Sequence, residues 1–287
     1  MKLPSKLKGR PGRSLSGDAV NAVVLIAFGA FMILPMVYVV SNAFKPLDEL
    51  FMYPPRFFVR NPTWDNFASL NTIFSDSYVP FGRYVYNTLF ITVVATVGQV
   101  FISSMAGYVL EKKRFPGDKL LFGMIVTSLM FTATVTEIPN YLIMSRLKWI
   151  DTHWSIVVPA VGSTMGVFLM KQFMETIPDT VLEAARIDGA GENTIFWKIV
   201  MPNVKPAWLT VTIFTVQSMW GTTGGSYLYS EELKTLPYAL SQIVSSGIAR
   251  TGAGAAVSLL MLIVPVTVLI ISQRNVLQTM MSSGIKG

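Results

Sequence analysis

Long stretches without a charged residue alternate with short polar segments along this chain. The hydrocarbon core of a bilayer is about 30 Å thick, and an α-helix needs about 20 residues to cross it. Six largely uncharged stretches are close to that length or exceed it, so the pattern predicts six membrane-spanning helices. They lie at about residues 19–44, 84–110, 120–145, 152–171, 206–222 and 252–273. The predicted fold class is an all-α membrane protein with one transmembrane domain over residues 18–287.

Some of these stretches carry signals that modify a plain spanning helix. The second contains small residues, Gly98 and Gly107 among them, which allow close helix packing inside a membrane. The third is interrupted by Glu137 and Pro139. A further uncharged segment, residues 235–249, is expected to be re-entrant or interfacial because its 15 residues are too few to span.

The first 17 residues contain five cations and no acid, which predicts a basic tail on residues 1–17. A basic start followed by an apolar run also describes a secretory signal peptide, whose apolar core has about 7 to 15 residues. Here 26 uncharged residues lie between Asp18 and Lys45. We therefore expect an uncleaved first span.

The distribution of Lys and Arg predicts which side of the membrane each loop faces. With six spans, both termini lie on one side. The two terminal segments and the loops before the third and fifth spans, which lie on the same side, contain fifteen Lys and Arg residues. The loops on the opposite side contain eight. Because cytoplasmic loops carry the excess of Lys and Arg, both termini and the segment 177–206 are expected in the cytoplasm.

Composition argues against several classes of function. The 287 residues are 52% hydrophobic and 14% charged, whereas soluble domains have about 25% charged residues. The net charge of +7 is spread over short loops, unlike the basic face of a nucleic-acid-binding module. The chain has no cysteine, a single histidine (His153) and no G-x-x-x-x-G-K-[ST] phosphate loop. We expect no metal, no cofactor, no catalytic residue and no nucleic-acid partner.

A charged segment, residues 177–206, connects the fourth and fifth spans. Thr180 and Glu183 have the spacing of a capping box, which predicts that a helix begins there. Gly189 is placed to end it, because glycine adopts the left-handed conformation of a helix C-terminus at little cost. A second short helix is expected over residues 192–199. Its apolar face and its terminating proline are Ile195, Phe196, Ile199 and Pro202.

The spacing within this segment resembles the EAA loop of the membrane-spanning subunits of ATP-binding-cassette importers. The matching positions are Glu183, Ala184, Ala185, Asp188, Gly189, Ala190, Ile199 and Pro202. The wider string over residues 177–206 is most similar to the carbohydrate branch, which includes the maltose-type permeases. Met201 stands where that pattern usually has leucine, a side chain of similar volume.

The resemblance implies a type I importer permease fold, with six spans and a cytoplasmic coupling helix, in the inner membrane of a bacterial cell. It implies that the matching positions dock on a separate ATPase subunit, so that the chain itself is not an enzyme. The implied partners are a second, different permease subunit, two cytoplasmic ATPase subunits, an extracytoplasmic solute-binding protein and membrane lipid. The implied function is translocation of a carbohydrate, in particular an oligosaccharide.

Two groups of polar residues are candidates for the path of the solute. Glu137 lies inside an apolar stretch, where a carboxylate costs several kcal/mol unless it pairs, is protonated or faces water. Two interpretations stay open: it lines a polar cavity with Asn140 and Tyr141, or it lies near the outer end of a tilted span or pairs with a partner subunit. Trp220, with Gln217 and Tyr227, forms the second group, and these residues are equally suited to be interfacial anchors.

Three other functions stay open from the sequence. The same architecture serves importers of other solutes, such as a polyamine, an amino acid or an ion, although a charged ligand should demand more ionisable cavity residues than Glu137. A membrane enzyme would be active without partners, and the lack of Cys and of a His pair argues against it. A solitary scaffold or sensor would be purified without an ATPase.

Overall fold

The computed structural model describes residues 15–75 and 79–283, and the regular elements of this part of the chain are helices. The predicted basic tail lies outside the described residues up to residue 14. The α-helices are α1 (Leu15–Ala43), α2 (Leu47–Leu50), α3 (Asp65–Ser75), α4 (Phe81–Lys112), α5 (Asp118–Ser128), α6 (Ala133–Arg146), α7 (Trp154–Val161), α8 (Thr164–Glu175), α9 (Asp179–Ile187), α10 (Glu192–Thr194), α11 (Met201–Asn203), α12 (Lys205–Trp220), α13 (Leu236–Ser245) and α14 (Thr251–Ser283). A π-helical turn, Ile195–Val200, joins α10 to α11. The all-α fold class is confirmed.

Four helical segments of the described residues are long and apolar enough to cross a membrane. They are α1, α4, α7 with α8 over Trp154–Glu175, and the first part of α14 with the turn before it over Ile248–Gln273. These segments coincide with the predicted first, second, fourth and sixth spans. The predicted fifth span corresponds to α12, which ends at Trp220 and meets the preceding segment, Glu192–Asn203, at an angle of 75°.

The predicted third span is not one continuous helix. α5 has 11 residues and α6 has 14, and a non-helical turn separates Ser128 from Ala133. The break therefore precedes Glu137 and Pro139, which lie inside α6. α5 has no buried residue, and Met144 is the one buried residue of α6 among those whose burial is described. The count of six spans stays a prediction.

α4 lies at the centre of the fold, with α7, α8 and α12 packed along it. A methyl group on Gly107 would lie 2.9 Å from Cβ of Met170 in α8, and one on Gly98 would lie 2.7 Å from Cγ2 of Val161 in α7. Helices in a membrane associate through such close packing, because lipid tails are as apolar as the side chains. The prediction that small residues bring helices close to the second span is confirmed.

Polar side chains on α4 attach other elements along its length. Near the middle of α4, Gln99 accepts a hydrogen bond from Thr215 of α12. Near its first turns, Nδ2 of Asn87 donates to the carbonyl oxygens of Glu232 (2.7 Å) and Lys234 (2.9 Å). α4 therefore holds both the fifth apolar helix and the segment that precedes α13. As expected, α13 is too short to span, with 10 residues.

Candidate functional site

The N-terminus of α9 is attached to the end of α4. Nζ of Lys112 donates to the carbonyl oxygen of Ile177 (2.6 Å) and to Oδ1 of Asp179 (2.8 Å), and the Lys112 side chain is only 4% exposed. The hydrogen bond and charge of Lys112 hold the pKa of Asp179 below its usual range. The predicted capping box of Thr180 and Glu183 is wrong: the helix begins one residue earlier, after Pro178, and no side chain caps it.

Gly189 ends α9, as predicted. Its φ angle is +84°, in the left-handed region that favours glycine. The N–H of Gly189 donates to the carbonyl oxygen of Arg186 (3.0 Å), and that of Ala190 donates to Ala185 (2.9 Å). This pair of bonds is a Schellman motif, which satisfies carbonyl groups that the end of a helix leaves free.

α9 buries one residue and presents the opposite face to solvent. Leu182 is 1% exposed and packs in an apolar cluster with residues of α4, α8 and the π-helical turn. Val181, Ala184 and Ile187 form an exposed apolar stripe at three-residue spacing beside Glu183, and Ile187 is 87% exposed. Of the eight matching positions, the exposed ones are Glu183, Ala184, Asp188, Gly189 and Pro202, and the half-buried ones are Ala185, Ala190 and Ile199.

The second half of the loop departs from the expected α-helix. Ile195 and Phe196 are buried and Ile199 is half-buried, so the predicted apolar face is confirmed. These three residues lie in the π-helical turn. Pro202 does not end the segment, because it lies inside α11, where the first turn of a helix tolerates proline. The 75° bend that follows places this segment across the end of α12 and out of line with it.

One carboxylate joins the two halves of the loop to α4. Oε1 of Glu192 pairs with Nζ of Lys113 (2.7 Å) and with Nε of Arg186 in α9 (3.0 Å). Oε2 accepts a hydrogen bond from the hydroxyl of Tyr108 (2.7 Å). The hydrogen bonds from Lys113, Tyr108 and Arg186 lower the pKa of Glu192 to about 2, so the group is charged throughout the physiological range.

A cavity of about 280 Å³ opens beside α6. It is lined by Glu137 of α6, by residues of α7 and by the segment 222–227. The ring of Tyr141 lies 6.1 Å from the ring of Tyr227, and its hydroxyl lies 3.2 Å from that of Tyr229. Burial and the charge of Glu137 raise the pKa of Tyr227. This region therefore combines a carboxylate, phenol groups and backbone amides, which suit a hydroxylated ligand.

Asn140, Tyr141, Gln217 and Trp220 do not line this cavity. Asn140 is half-buried in α6, and Gln217 is exposed on α12. Trp220 is 4% exposed, and its Nε1 donates to the carbonyl oxygen of Met261 in α14 (3.1 Å). The structure brings Glu137 and Tyr141 to one region and encloses the Trp220 ring in an apolar cluster. The part of these five residues in a solute path stays a prediction.

Comparison with known families matches the loop and several membrane helices to one family profile. A family profile described as the inner membrane component of a binding-protein-dependent transport system matches residues 99–282, which is more than half of the chain. The chain belongs to this family. The matched part of this inner membrane component begins within α4 and includes all of α9 and the π-helical turn.

Individual relatives are similar over most of their length. The sn-glycerol-3-phosphate transport system permease protein UgpE of Yersinia enterocolitica is 29% identical over 88% of this chain and 92% of its own. The polygalacturonan/rhamnogalacturonan transport system permease protein YtcP of Bacillus subtilis is 29% identical over 78% of this chain and 77% of its own. A solved chain of a bacterial ABC transporter involved in the import of the acidic polysaccharide alginate is 25% identical, with a TM-score of 0.77 over 92% of this chain and 99% of that one. The chain is thus a multi-pass permease of the inner membrane with the importer fold.

The sequence prediction for this inner membrane component missed Glu192 and its partners. Tyr108 and Glu192 are 84 residues apart, so no local spacing relates them. In the sequence, Lys112 and Lys113 mark only the basic end of the second predicted span. The one signal available from the sequence was the concentration of opposite charges at the ends of two segments expected on the same side of the membrane.

Proposed function

We propose that this chain is a permease subunit of an ATP-binding-cassette importer and moves a carbohydrate into the cytoplasm. The named solutes of YtcP and of the solved alginate transporter support a carbohydrate. The sn-glycerol-3-phosphate permease supports a second candidate, a smaller phosphorylated solute. A polyamine, amino acid or ion has no comparable support among these relatives.

The observation that carries the proposal is the exposed face of α9 in a chain of this family. An apolar stripe outside the spanning helices is unfavourable in water, and a partner subunit would cover it. Ile187 supplies the most exposed apolar side chain of the stripe, and Glu183 supplies a charge at its edge. We propose that both contact an ATPase subunit, together with the other seven matching positions. ATP is then hydrolysed on a separate chain, because this one has no phosphate-binding loop.

The proposed assembly contains a second, different permease subunit, two cytoplasmic ATPase subunits and an extracytoplasmic solute-binding protein. Both termini and α9 face the cytoplasm, in agreement with the excess of Lys and Arg on that side. ATP-driven closure of the ATPase subunits moves α9 of this chain towards its counterpart on the second permease. The spanning helices then change from an inward-facing to an outward-facing arrangement, which accepts solute from the binding protein.

The proposed solute path passes the cavity beside α6. Its carboxylate, from Glu137, and its phenol group, from Tyr227, are hydrogen-bonding partners for sugar hydroxyl groups, and Tyr141 lies beside Tyr227. Asn140, Gln217 and Trp220 belong to the proposed path as well. Of these, Gln217 is exposed and Trp220 would first have to leave its apolar surroundings.

The test of ATPase docking uses the variant Glu183→Ala in the assembled transporter. Truncation of a charge at an interface leaves its partner unpaired, so we expect affinity for the ATPase subunit to fall at least about tenfold, or about 1.4 kcal/mol. Co-purification and titration of the detergent-solubilised permease with the ATPase measure this affinity. Glu175→Gln is the matched control, because Glu175 is an exposed carboxylate at the end of α8, outside the matching positions.

Equal ATPase affinity for the parent and Glu183→Ala would show that the loop does not dock as proposed. The solute is tested separately, by uptake of labelled oligosaccharides and of sn-glycerol-3-phosphate into proteoliposomes of the complete transporter. Uptake of an oligosaccharide supports the first candidate, and uptake of the phosphorylated solute alone supports the second.

A further inference from the structure

Consecutive residues at the end of α4 hold both ends of α9. Lys112 binds the start of α9 through Ile177 and Asp179. Lys113 binds Glu192, which in turn pairs with Arg186 in the last turn of α9. These contacts couple the position of α9 to that of α4.

Three residues connect α8 to α9, whereas the covalent connection to α12 is less direct. The chain leaves the loop towards α12 through the π-helical turn and the 75° bend. π-helical turns and bends have weaker backbone support than regular helix, and they often mark positions where a chain yields. α4, in contrast, is one helix of 32 residues with no proline, or about 48 Å long.

We propose that Glu192 is a positioning residue that ties α9 to α4, so that α4 receives the motion of the loop and carries it across the membrane. The proposal rests on the proposed function, in which the loop docks on an ATPase. Glu192 contacts no ATP and no solute in this scheme. It fixes the direction in which α9 can push.

The packing of α4 suits this helix to transmit the motion of the loop. At its cytoplasmic end, Gly107 allows α8 to approach until the backbone atoms are nearly in contact. In its first turns, Asn87 binds the carbonyl groups of Glu232 and Lys234. A rigid helix with attachments at both ends can carry coupling over such a distance, and α4 is one. A displacement of Tyr108 and Lys113 therefore reaches the opposite side of the membrane.

A purely structural role for Glu192 predicts a different outcome. Its side chain is 48% exposed and that of Lys113 is 39% exposed, and ion pairs with that exposure contribute little to folding. Loss of the Glu192 charge should therefore leave assembly intact. The loss of this charge should instead weaken the coupling between the movement of α9 and that of α4.

The functional test compares transport per ATP hydrolysed in proteoliposomes that contain the complete transporter. We expect Glu192→Gln to bind the ATPase within twofold of the parent and to transport at least fivefold less solute per ATP. Lys113→Met should have the same effect, and the double variant should add nothing further, because both remove one connection. Glu175→Gln is the control and should match the parent. Glu192→Asp should recover part of the loss.

A structural measurement does not depend on the ATPase. The chain has no cysteine, so nitroxide labels at Ile187→Cys and Leu89→Cys report the distance between α9 and the outer half of α4. Pulsed EPR on the full permease in nanodiscs should give a narrow distance distribution. Addition of Glu192→Gln should broaden it, and addition of Glu175→Gln should not.

Parental transport per ATP and a parental distance distribution in Glu192→Gln would overturn the role of Glu192. Loss of ATPase affinity in Glu192→Gln would also overturn it, because the residue would then serve docking. Failure of the proposed function has a different signature. In that case Glu183→Ala retains full ATPase affinity, or no ATPase binds the parent at all.

Discussion

Gly107 shows how a single residue decides the distance between two helices. A methyl group at this position would lie 2.9 Å from Cβ of Met170 and 3.0 Å from the backbone nitrogen of Lys171. The second of these atoms belongs to the backbone of α8 and cannot rotate away. A larger residue would therefore force the two helices apart.

Gly107→Ala is expected to destabilise the protein by about 1 to 3 kcal/mol, the usual cost of overpacking. Thermal unfolding of the detergent-solubilised protein measures the change. Gly123→Ala is the matched control, because Gly123 lies inside α5 with no atom within 4 Å of the added methyl group. Alanine is a better helix former than glycine, so the control should be neutral or stabilising by up to about 1 kcal/mol. Equal melting temperatures for the two variants would contradict the close approach.

Individual residues of the loop could be predicted only where the reason was local. Gly189 was predicted to end α9 because the conformation of a helix C-terminus depends on the residue itself. The capping box failed because Lys112, which lies far away in the sequence, binds Asp179 and attaches the helix one residue earlier. Glu192 was missed for the same reason, since its partners come from α4 and α9.

α9 is an amphipathic element whose C-terminus depends on one backbone conformation. The left-handed φ of Gly189 allows the two hydrogen bonds that close the helix. Gly191 has an ordinary φ of −70°, and nothing lies within 4 Å of an added methyl group there. The two glycines are therefore a natural pair for comparison.

Gly189→Ala should cost about 1 to 2 kcal/mol, because an L-residue is strained in the left-handed region. Hydrogen exchange of the peptide that covers α9 should become faster. Gly191→Ala should leave exchange unchanged or slow it, because alanine there restricts only the unfolded chain. Slower exchange in Gly189→Ala than in Gly191→Ala would be inconsistent with the Schellman motif.

Whole elements were predicted well where charges bracket them and poorly where they do not. Arg83 and the cluster after Glu111 bound the second span, and α4 extends over the same residues. The break between α5 and α6 falls in the apolar string Leu129–Met130–Phe131, which contains no glycine, proline or charge. Hydropathy does not register such a break. Pro139, the expected site of interruption, is accommodated inside α6.

The topology of the whole molecule is predicted from the distribution of Lys and Arg. Two exposed side chains on opposite sides of the predicted membrane test it directly: Ile187 in α9 and Tyr53, which is 93% exposed and follows α1 and α2. Because the native chain has no cysteine, each can be replaced singly by cysteine without a background signal.

A membrane-impermeant maleimide added to intact spheroplasts should label Tyr53→Cys and not Ile187→Cys. After lysis of spheroplasts that contain the permease without its ATPase subunit, both variants should be labelled. Labelling of Ile187→Cys in intact cells would place α9 outside the cytoplasm and would remove the basis of ATPase docking. A variant that carries both Tyr53→Cys and Glu175→Cys serves as an internal control, because Glu175 is a second site predicted to face the cytoplasm.

α5 and α6 contribute almost nothing to the interior of this chain. Their apolar side chains lie open on the surface, and the fold leaves them without enough neighbours of its own. A newly made copy that meets no counterpart should therefore be recognised by membrane proteases and degraded. If the proposed second permease subunit covers these side chains, the cell has to synthesise the two chains in matched amounts, and the abundance of the scarcer one sets the number of working transporters.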